Sequence, residues 1–252
     1  MIPKIIHYCW LSNEQVPEEL QRYMKSWKEK LPDYEFIKWD FNRFDKSSSK
    51  WVAQAFDNKK YAFAADYIRL YALYNYGGIY MDMDVEVLKS FDDLLDSAYM
   101  MAFEREGTTY IEAGCMGAEK NAAFIKDALD YYTNRDFIKQ NGEFDIVPLP
   151  KVMSRILNNG QYDIQFRNWH AFTNKSYATG IESPIEESYA IHHFAGSWKT
   201  EKEVKFQKIR QKIENKFGNR VTSNILFRFF EYVYCYGVFR TWKKIMIIIS
   251  KK

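Results

Sequence analysis

The stretch that decides the fold is residues 64–87, which read AADYIRLYALYNYGGIYMDMDVEV. Its first part continues a helical pattern that we expect to run from about Lys60 to Tyr76. Gly77 and Gly78 favour a stop there, because glycine accepts the left-handed conformation that commonly ends a helix. From residue 79 to residue 87, large apolar residues alternate strictly with polar ones. This alternation predicts one continuous strand with a buried face.

The polar face of this predicted strand carries two aspartates. Asp82 and Asp84 are two residues apart, so on a strand their Cα atoms lie roughly 6.5–7 Å apart and their side chains share a face. Their carboxylates suit Mg²⁺ or Mn²⁺, and a cation is the natural way to keep two such close charges ionised. A bare Asp-x-Asp is more often the solvent-exposed face of an edge strand, so the motif alone does not establish a metal site.

The preceding helix adds a second pair of charges. Asp66 and Arg69 are three residues apart, which places them on one helical face, where a plain salt bridge contributes only about 0.2–0.5 kcal/mol. Further strands are predicted at residues 2–10 and 34–39, with an amphipathic helix over about 17–30 between them. Strands alternating with helices predict an α/β fold, a sheet with helices on its faces.

Taken together, residues 64–84 resemble the sugar-binding region of DXD-containing glycosyltransferases. The family is glycosyltransferase family 32, with its capsular polysaccharide synthesis members, and the catalytic domain of the large clostridial glucosylating toxins is similar in the same stretch. The resemblance implies a GT-A fold, which is a Rossmann-like nucleotide-sugar-binding fold. It also implies a nucleotide-sugar donor, Mn²⁺ or Mg²⁺ as the cofactor, and transfer with retention of anomeric configuration.

The resemblance also implies roles for single residues. Asp66 and Arg69 match the pair that grips donor-sugar hydroxyls. Asp82 matches the first DXD aspartate, near the ribose and sugar, and Asp84 matches the second, a direct metal ligand; Asp66, Arg69 and Asp82 are the expected catalytic residues. The remaining residues expected at the donor are Trp10, stacked on the nucleotide base, and Tyr80, Gly77 and Gly78. Base stacking contributes roughly 1–3 kcal/mol, but Trp10 is equally well explained as a core aromatic at a strand end.

Two adjacent histidines lie in a later segment, IHHFAGSWK, at residues 191–199. Neutral imidazole is a competent Mn²⁺ ligand, and a strand turns only one of two neighbours toward a site. In retaining GT-A enzymes a late His-x-x-Gly loop supplies a metal ligand, which selects His193 here, with Ser197 and Trp198 closing over the diphosphate. The toxins use other residue types at this point, so His192 or Ser197 stays open as the ligand, as does a histidine pair held by core hydrogen bonds.

The chemistry beyond the donor is less defined by the sequence. Glu104 and Glu112 follow the Asp-x-Asp strand, where families of this kind place acceptor-side groups, although either could be a surface carboxylate. No catalytic nucleophile is identified. Two other classes of function remain: a metal-dependent phosphohydrolase or phosphotransferase with Asp82 as nucleophile, and a non-catalytic carbohydrate- or membrane-binding protein.

The charge of the chain is divided unevenly. The whole chain has 36 Lys and Arg and 33 Asp and Glu. Residues 1–198 contain 22 basic and 29 acidic residues, whereas residues 199–252 contain 14 basic and 4 acidic residues. We therefore predict a catalytic domain at 1–198 and a basic, aromatic, amphipathic helical tail at 199–252. Charges interrupt its apolar runs, which favours residues 201–252 lying on a membrane surface rather than spanning it. Packing on the domain or on a second copy, as a homo-oligomer, is the alternative; nucleic acid is not expected.

The sequence also leads to expectations about the location of the protein and its substrates. Three scattered cysteines favour a reducing compartment, and the first residues lack the pattern of a signal peptide. We expect a cytoplasmic protein, peripheral on the inner face of the cell membrane. The predicted reaction moves a hexose, from a UDP-sugar in preference to GDP-mannose, to a glycan or lipid-linked acceptor in surface polysaccharide synthesis.

Overall fold

The structure is a computed structural model that describes residues 1–158, 160–177 and 180–196, and the tail residues 208, 209, 212, 213 and 216. The chain divides into one unit of residues 1–175 and 182–198 and a second unit of residues 176–181 and 199–252. The five described tail residues are helical. The rest of the predicted helical tail, with Ser197 and Trp198, lies outside the described residues. The predicted domain boundary after residue 198 stays a prediction.

Helices and strands alternate along the first unit. The helices are α1 (Glu18–Lys30), α2 (Lys50–Asp57), α3 (Tyr61–Tyr76), α4 (Ala123–Asp130) and α5 (Leu149–Leu157). The strands are β1 (Ile5–Cys9), β2 (Glu35–Trp39), β3 (Gly78–Met81), β4 (Val85–Val87), β5 (Tyr99–Met100), β6 (Cys115–Ala118) and β7 (Ala190–His192). The predicted helices near residues 17–30 and 60–76 are confirmed. Within the described part of the chain, no helix has the length and apolarity to cross a membrane.

The strands form a mixed five-stranded sheet and a small two-stranded one. The order in the large sheet is β2-β1-β3-β6-β5. The strands β2, β1 and β3 are parallel, whereas β6 is antiparallel to both of its neighbours. The second sheet pairs β4 with β7. This arrangement confirms the α/β prediction. The Asp-x-Asp segment follows β3, the central strand of the mixed sheet.

An apolar core lies on each face of the large sheet, and β3 contributes to both. Ile79 and Met81 belong to the core that α1 covers, where Trp27 is almost completely buried. Tyr80, between them, belongs to the core built by α2, α3, α4 and α5. Successive side chains of a strand point to opposite faces of the sheet. The alternating residues of β3 therefore pack against helices on both faces.

The predicted strand over residues 79–87 is wrong in its continuity. The strand β3 ends at Met81, and a turn follows in which the backbone N–H of Val85 donates to the Asp82 carbonyl at 3.0 Å. The chain then enters β4, which belongs to the other sheet. Alternation could not reveal this break, because residues on either side of the turn keep the same polar–apolar pattern. Asp82 and Asp84 therefore lie in a turn between two sheets rather than on a strand face.

Two glycines allow α3 to pass directly into β3. Gly77 has φ +68° and caps the helix, its N–H donating to the Leu73 carbonyl at 2.9 Å. A Cβ on Gly77 would lie 2.7 Å from the backbone nitrogen of Lys120, and one on Gly78 would lie 2.7 Å from the Ile5 carbonyl oxygen. Both positions therefore require glycine, since a side chain would collide with neighbouring backbone.

Candidate functional site

The site begins where two parallel strands end. The strands β1 and β3 pair in parallel, with His7 opposite Tyr80. Their carboxyl ends therefore meet at the same edge of the sheet, where Trp10 follows β1 and Asp82 follows β3. This edge is where open α/β sheets bind ligands.

Arg69 joins α3 to the Asp-x-Asp turn. Its Nη2 lies 3.2 Å from an Asp82 carboxylate oxygen and 3.3 Å from Asp66 Oδ1. Its Nη1 donates to the Ala113 carbonyl at 2.6 Å. Its guanidinium carbon lies 4.4 Å from the centre of the Tyr80 ring, and the Tyr80 hydroxyl donates to Asp82 at 3.0 Å. The predicted helix pair of Asp66 and Arg69 is therefore part of a larger buried network that includes Asp82.

Burial and neighbouring charges shift the pKa values of the three ionisable groups Asp66, Asp82 and Arg69. Burial raises the pKa of Asp66 to about 6, although the nearby Arg69 opposes the shift. Burial also raises the pKa of Asp82, and the neighbouring charge of Asp84 raises it further, while Arg69 lowers it. For Arg69 itself, burial opposes the charge, but the acidic neighbours, with Asp82 foremost, raise its pKa above the ordinary value. Arg69 stays charged and compensates the two carboxylates.

Three side chains at the turn offer ligand atoms to one ion. Asp82, Asp84 and His192 each present an oxygen or nitrogen within 4.8 Å of the others. His192 Nε2 lies 3.4 Å from Asp84 Oδ1, and the other Asp84 oxygen accepts from the backbone N–H of Ala195 at 2.7 Å. Two carboxylates and one imidazole form a donor set that suits Mn²⁺ and also accommodates Mg²⁺.

The carboxylates around His192 make this an acidic site that favours positive charge. The pKa of Asp84 is lowered: burial opposes the charge, but His192 and the Ala195 N–H outweigh it. The pKa of His192 is raised well above its usual value, because the charges of Glu112 and Asp84 outweigh its burial. Asp82, by contrast, is disfavoured as an anion by burial and by Asp84. A divalent cation would relieve the repulsion between the two carboxylates, so the residues present fit the implied metal.

The structure brings His192, and not His193, to the aspartates. His193 stacks on Tyr23, with ring centres 4.1 Å apart, and its Nε2 lies 2.8 Å from a Glu86 carboxylate oxygen. The reason is the pairing of β4 with β7, in which His192 lies opposite Val85. Its neighbour must point to the other face. The choice of His193 from the His-x-x-Gly spacing is corrected to the open alternative, His192.

The two glutamates considered on the acceptor side have different surroundings. Glu112 is almost completely buried and lies 3.0 Å from His192 Nδ1. Glu104 is half-buried, and burial, with the charge of Glu112 adding to it, raises its pKa to about 7. Sequence reasoning missed Thr173, whose hydroxyl donates to Glu112 at 2.7 Å. No motif marks Thr173, because its position depends on a loop from a distant part of the chain.

Trp10 borders a cavity of about 490 Å³ at the same sheet edge. The cavity is lined by residues of β2 and of the segments that follow β1 and β2, among them Trp10, Asn13, Glu14, Lys38, Asp40 and Asn42. Trp10 is half-buried, and its indole N–H donates to the Glu14 carbonyl at 2.9 Å. The ring therefore borders the cavity, and it also packs against the core that α1 covers. This placement is compatible with the expected stacking on a nucleotide base, which stays a prediction.

Gly77 and Gly78 lie away from this edge. Gly77 precedes β3 and Gly78 begins it, whereas Asp82 follows it, so the length of the strand separates both glycines from the turn. Their conformations are required by packing against Ile5 and Lys120. The structure therefore gives these glycines a role in the path of the chain and does not bring them to the site. Tyr80 is brought there through its hydroxyl, while Ser197 and Trp198 lie outside the described residues.

Comparison with known proteins assigns the segment that holds this network. Residues 17–101 match the family described as glycosyltransferase sugar-binding region containing DXD motif. Asp66, Arg69, Asp82 and Asp84 all lie within the match. These residues are therefore similar to a glycosyltransferase sugar-binding region. The resemblance to DXD-containing glycosyltransferases is confirmed, and in this region the DXD motif is Asp82-Met83-Asp84.

Curated relatives carry related descriptions. The chain is 35% identical over 128 residues to inositol phosphoceramide mannosyltransferase 3 of Schizosaccharomyces pombe, covering 49% of this chain and 35% of the relative. It is 31% identical over 133 residues to mannosyl phosphorylinositol ceramide synthase SUR1 of Saccharomyces cerevisiae, covering 51% and 34%. The matched region thus spans about a third of either relative.

Among solved structures, the PaToxG glycosyltransferase is similar with a TM-score of 0.49 and 23% identity, over 64% of this chain and 69% of that one.

Proposed function

We propose that this chain is a metal-dependent, retaining glycosyltransferase that moves a hexose from a nucleotide-sugar to a glycan or a lipid-linked acceptor. The observation that carries the proposal is the meeting of Asp82, Asp84 and His192 within 4.8 Å, beside the buried Asp66–Arg69 pair. The sugar-binding region found by comparison contains four of these five residues. The fifth, His192, arrives from a strand more than a hundred residues later.

Each part of the site has a proposed task. Asp82, Asp84 and His192 would hold a divalent cation, which would supply positive charge near the diphosphate of the donor. Arg69 fixes Asp66 and Asp82 in place, and Asp66 presents its carboxyl group to the hydroxyls of the sugar. The cavity beside Trp10 receives the base. With the sugar held in this way, the acceptor hydroxyl attacks the face from which the leaving group departs, so that the anomeric configuration is retained.

The identity of the sugar is the finer part of the proposal. The names of the curated relatives favour mannose as the sugar and an inositol phosphoceramide, a membrane lipid, as the acceptor. The toxin-like start of the chain favours a UDP-sugar. A lipid-linked acceptor agrees with the proposed position of the enzyme at the inner face of the cell membrane, where its basic tail would lie. Surface polysaccharide synthesis remains the proposed context.

A panel of donors tests the proposal. We would incubate the purified chain with GDP-mannose and with UDP-glucose, UDP-galactose and UDP-N-acetylglucosamine, with Mn²⁺ or with EDTA, and measure release of the nucleoside diphosphate. We expect one donor to be turned over with Mn²⁺ only. Asp84→Asn should lower this turnover at least a hundredfold, whereas Asp57→Asn, an exposed aspartate paired with Lys46, should not. Cleavage of a phosphomonoester, with no donor turned over, would instead establish the phosphohydrolase alternative.

A further inference from the structure

A buried carboxylate behind His192 has no part in the chemistry proposed above. The side chain of Glu112 is only 2% exposed. Its Oε1 accepts from the Gly114 backbone N–H at 2.7 Å and lies 3.0 Å from His192 Nδ1. Its Oε2 accepts from the Thr173 hydroxyl at 2.7 Å. Both oxygens are therefore committed to partners inside the protein, which argues against a direct role of Glu112 toward an acceptor.

The partners of Glu112 also hold His192 and Asp82 through the backbone. The backbone N–H of His192 donates to the Thr173 carbonyl at 2.9 Å, so Thr173 fixes both the histidine backbone and the carboxylate behind its ring. The backbone N–H of Asp82 donates to the Gly114 carbonyl at 2.7 Å. One short segment, residues 112–114, thus contacts two of the three candidate metal ligands.

Gly114 makes this close arrangement sterically feasible. A Cβ at this position would lie 2.5 Å from His192 Cε1, 2.8 Å from its Nδ1 and 2.9 Å from Glu112 Oε1. The imidazole and the carboxylate therefore meet directly above a residue that has no side chain. A larger residue would force the ring away from Glu112 or away from Asp84.

We propose that Glu112 is a positioning residue that holds His192 with Nδ1–H donating to its carboxylate and Nε2 directed at the cation shared with Asp84. The proposal rests on the metal site of the proposed function. A metal-binding histidine commonly donates its second ring N–H to a carboxylate, which fixes the tautomer and makes the ligating nitrogen more basic, and loss of that partner typically costs 10–100-fold in metal affinity. Glu112 is the one described carboxylate that contacts Nδ1 of His192.

A titration of the full chain with Mn²⁺ alone, with free Mn²⁺ measured by electron paramagnetic resonance, tests the proposal. Glu112→Gln keeps the shape of the side chain, but it removes the charge and replaces one acceptor oxygen by an NH₂ donor. We expect roughly 10–100-fold weaker Mn²⁺ binding. The matched control is Asp145→Asn, a buried carboxylate paired with Arg135 in another part of the first unit. It should leave the affinity for Mn²⁺ unchanged, even where it lowers the melting temperature.

The outcomes separate this inference from the proposed function. Unchanged Mn²⁺ binding by Asp84→Asn would overturn the metal site itself. Loss of binding by Asp84→Asn together with wild-type binding by Glu112→Gln would overturn only the role of Glu112, as would an equal loss in Asp145→Asn.

Should Glu112→Gln fail to fold, Thr173→Val removes one donor to the same carboxylate and should weaken Mn²⁺ binding several-fold. Thr173→Ser, which keeps the hydroxyl, should bind as the wild type does. Equal binding by the valine and serine variants would contradict the proposal.

Discussion

Arg69 shows how one side chain organises a site that the local sequence describes only in part. A pair at i and i+3 on a helix surface contributes a few tenths of a kcal/mol. Here the guanidinium is almost fully buried and reaches Asp66, Asp82 and the Ala113 carbonyl. Removing one partner of a buried ion pair is far more costly than removing a surface pair. Arg69 therefore matters through the tertiary contacts that it makes with the turn.

At the same scale, His7 makes the stability of the protein depend on pH. The ring is completely buried, its Nδ1 accepts from the Trp39 indole N–H at 3.1 Å, and its Nε2 lies 2.8 Å from the Gly77 carbonyl oxygen. Burial lowers the pKa of His7 from 6.5 to about 4. Between pH 6.5 and about pH 4, His7 is therefore protonated in the unfolded chain but neutral in the folded chain. The free energy of unfolding consequently falls as the pH is lowered through this range.

We predict that the free energy of unfolding falls by about 2 kcal/mol between pH 7 and pH 5 on account of His7 alone. In His7→Gln, which offers one donor and one acceptor but does not titrate, this part of the pH dependence should disappear. Urea unfolding of both proteins at the two pH values measures the difference. Identical pH dependences in the wild type and the variant would show that His7 is not held neutral by the fold.

The candidate metal ligand from β7, His192, shows which parts of the site can be predicted from single residues and which cannot. The sequence narrowed it to two adjacent histidines, since a strand turns only one of them toward the site. Which one faces the aspartates depends on the register of β7 against β4, a contact between residues about a hundred positions apart. Thr173 and Gly114 depend on tertiary contacts in the same way, and no local pattern marks them.

At the scale of elements, the turn between β3 and β4 places the two aspartates between two sheets. The strand β3 of the large sheet ends at Met81, and β4, which pairs with β7 in the small sheet, begins at Val85. The chain therefore changes sheets within three residues. The change explains how a late strand delivers His192 to carboxylates that follow the central strand. The sequence predicted the helix, the glycine stop and the start of β3 from local signals. The change of sheet was missed, because it depends on which distant strand β4 meets.

The passage from α3 to β3 gives a prediction with an internal control. Gly77 has φ +68° and a Cβ there would collide with the Lys120 backbone, whereas Gly107 has φ +65° with nothing within 4 Å. Alanine at Gly107 carries a backbone cost of about 1 kcal/mol. At Gly77 the ψ of −173° lies in a region essentially restricted to glycine, where the backbone cost is about 1–3 kcal/mol. In Gly77→Ala, the collision with the Lys120 backbone should lower the free energy of unfolding by about 1–3 kcal/mol more.

Urea unfolding of the two alanine variants measures this difference directly. Comparable destabilisation by both changes would contradict the structural role assigned to Gly77. A stable Gly77→Ala protein with weakened donor binding would restore the donor-side role that the sequence suggested.

At the scale of the whole molecule, the charge is divided between an acidic first part and a basic tail. Residues 1–198 carry a net charge of −7, and residues 199–252 carry +10. Anionic membranes attract basic residues near their surface with about 1 kcal/mol each. A lipid-linked acceptor would be reached at such a surface, so membrane attachment by the tail agrees with the proposed reaction.

The tail is tested by neutralising three of its charges in the full chain. Replacing Arg240, Lys243 and Lys244 by glutamine should weaken binding to phosphatidylserine-containing vesicles at least tenfold. The control replaces three exposed lysines of the first unit, Lys28, Lys30 and Lys120, and should bind as the wild type does. Cosedimentation with vesicles, with and without the anionic lipid, measures both. Equal binding by the two triple variants would favour packing of the tail on protein.

The central claim is that Asp82, Asp84 and His192 together hold the cation on which transfer depends. A crystal of the full chain soaked with Mn²⁺ and a nucleoside diphosphate, with anomalous data at the manganese edge, tests it most directly. The account predicts one strong anomalous peak, about 2.0–2.3 Å from Asp84 and from His192 Nε2, with His193 still stacked on Tyr23. A peak at His193, or no peak near Asp84 at saturating Mn²⁺, would contradict it.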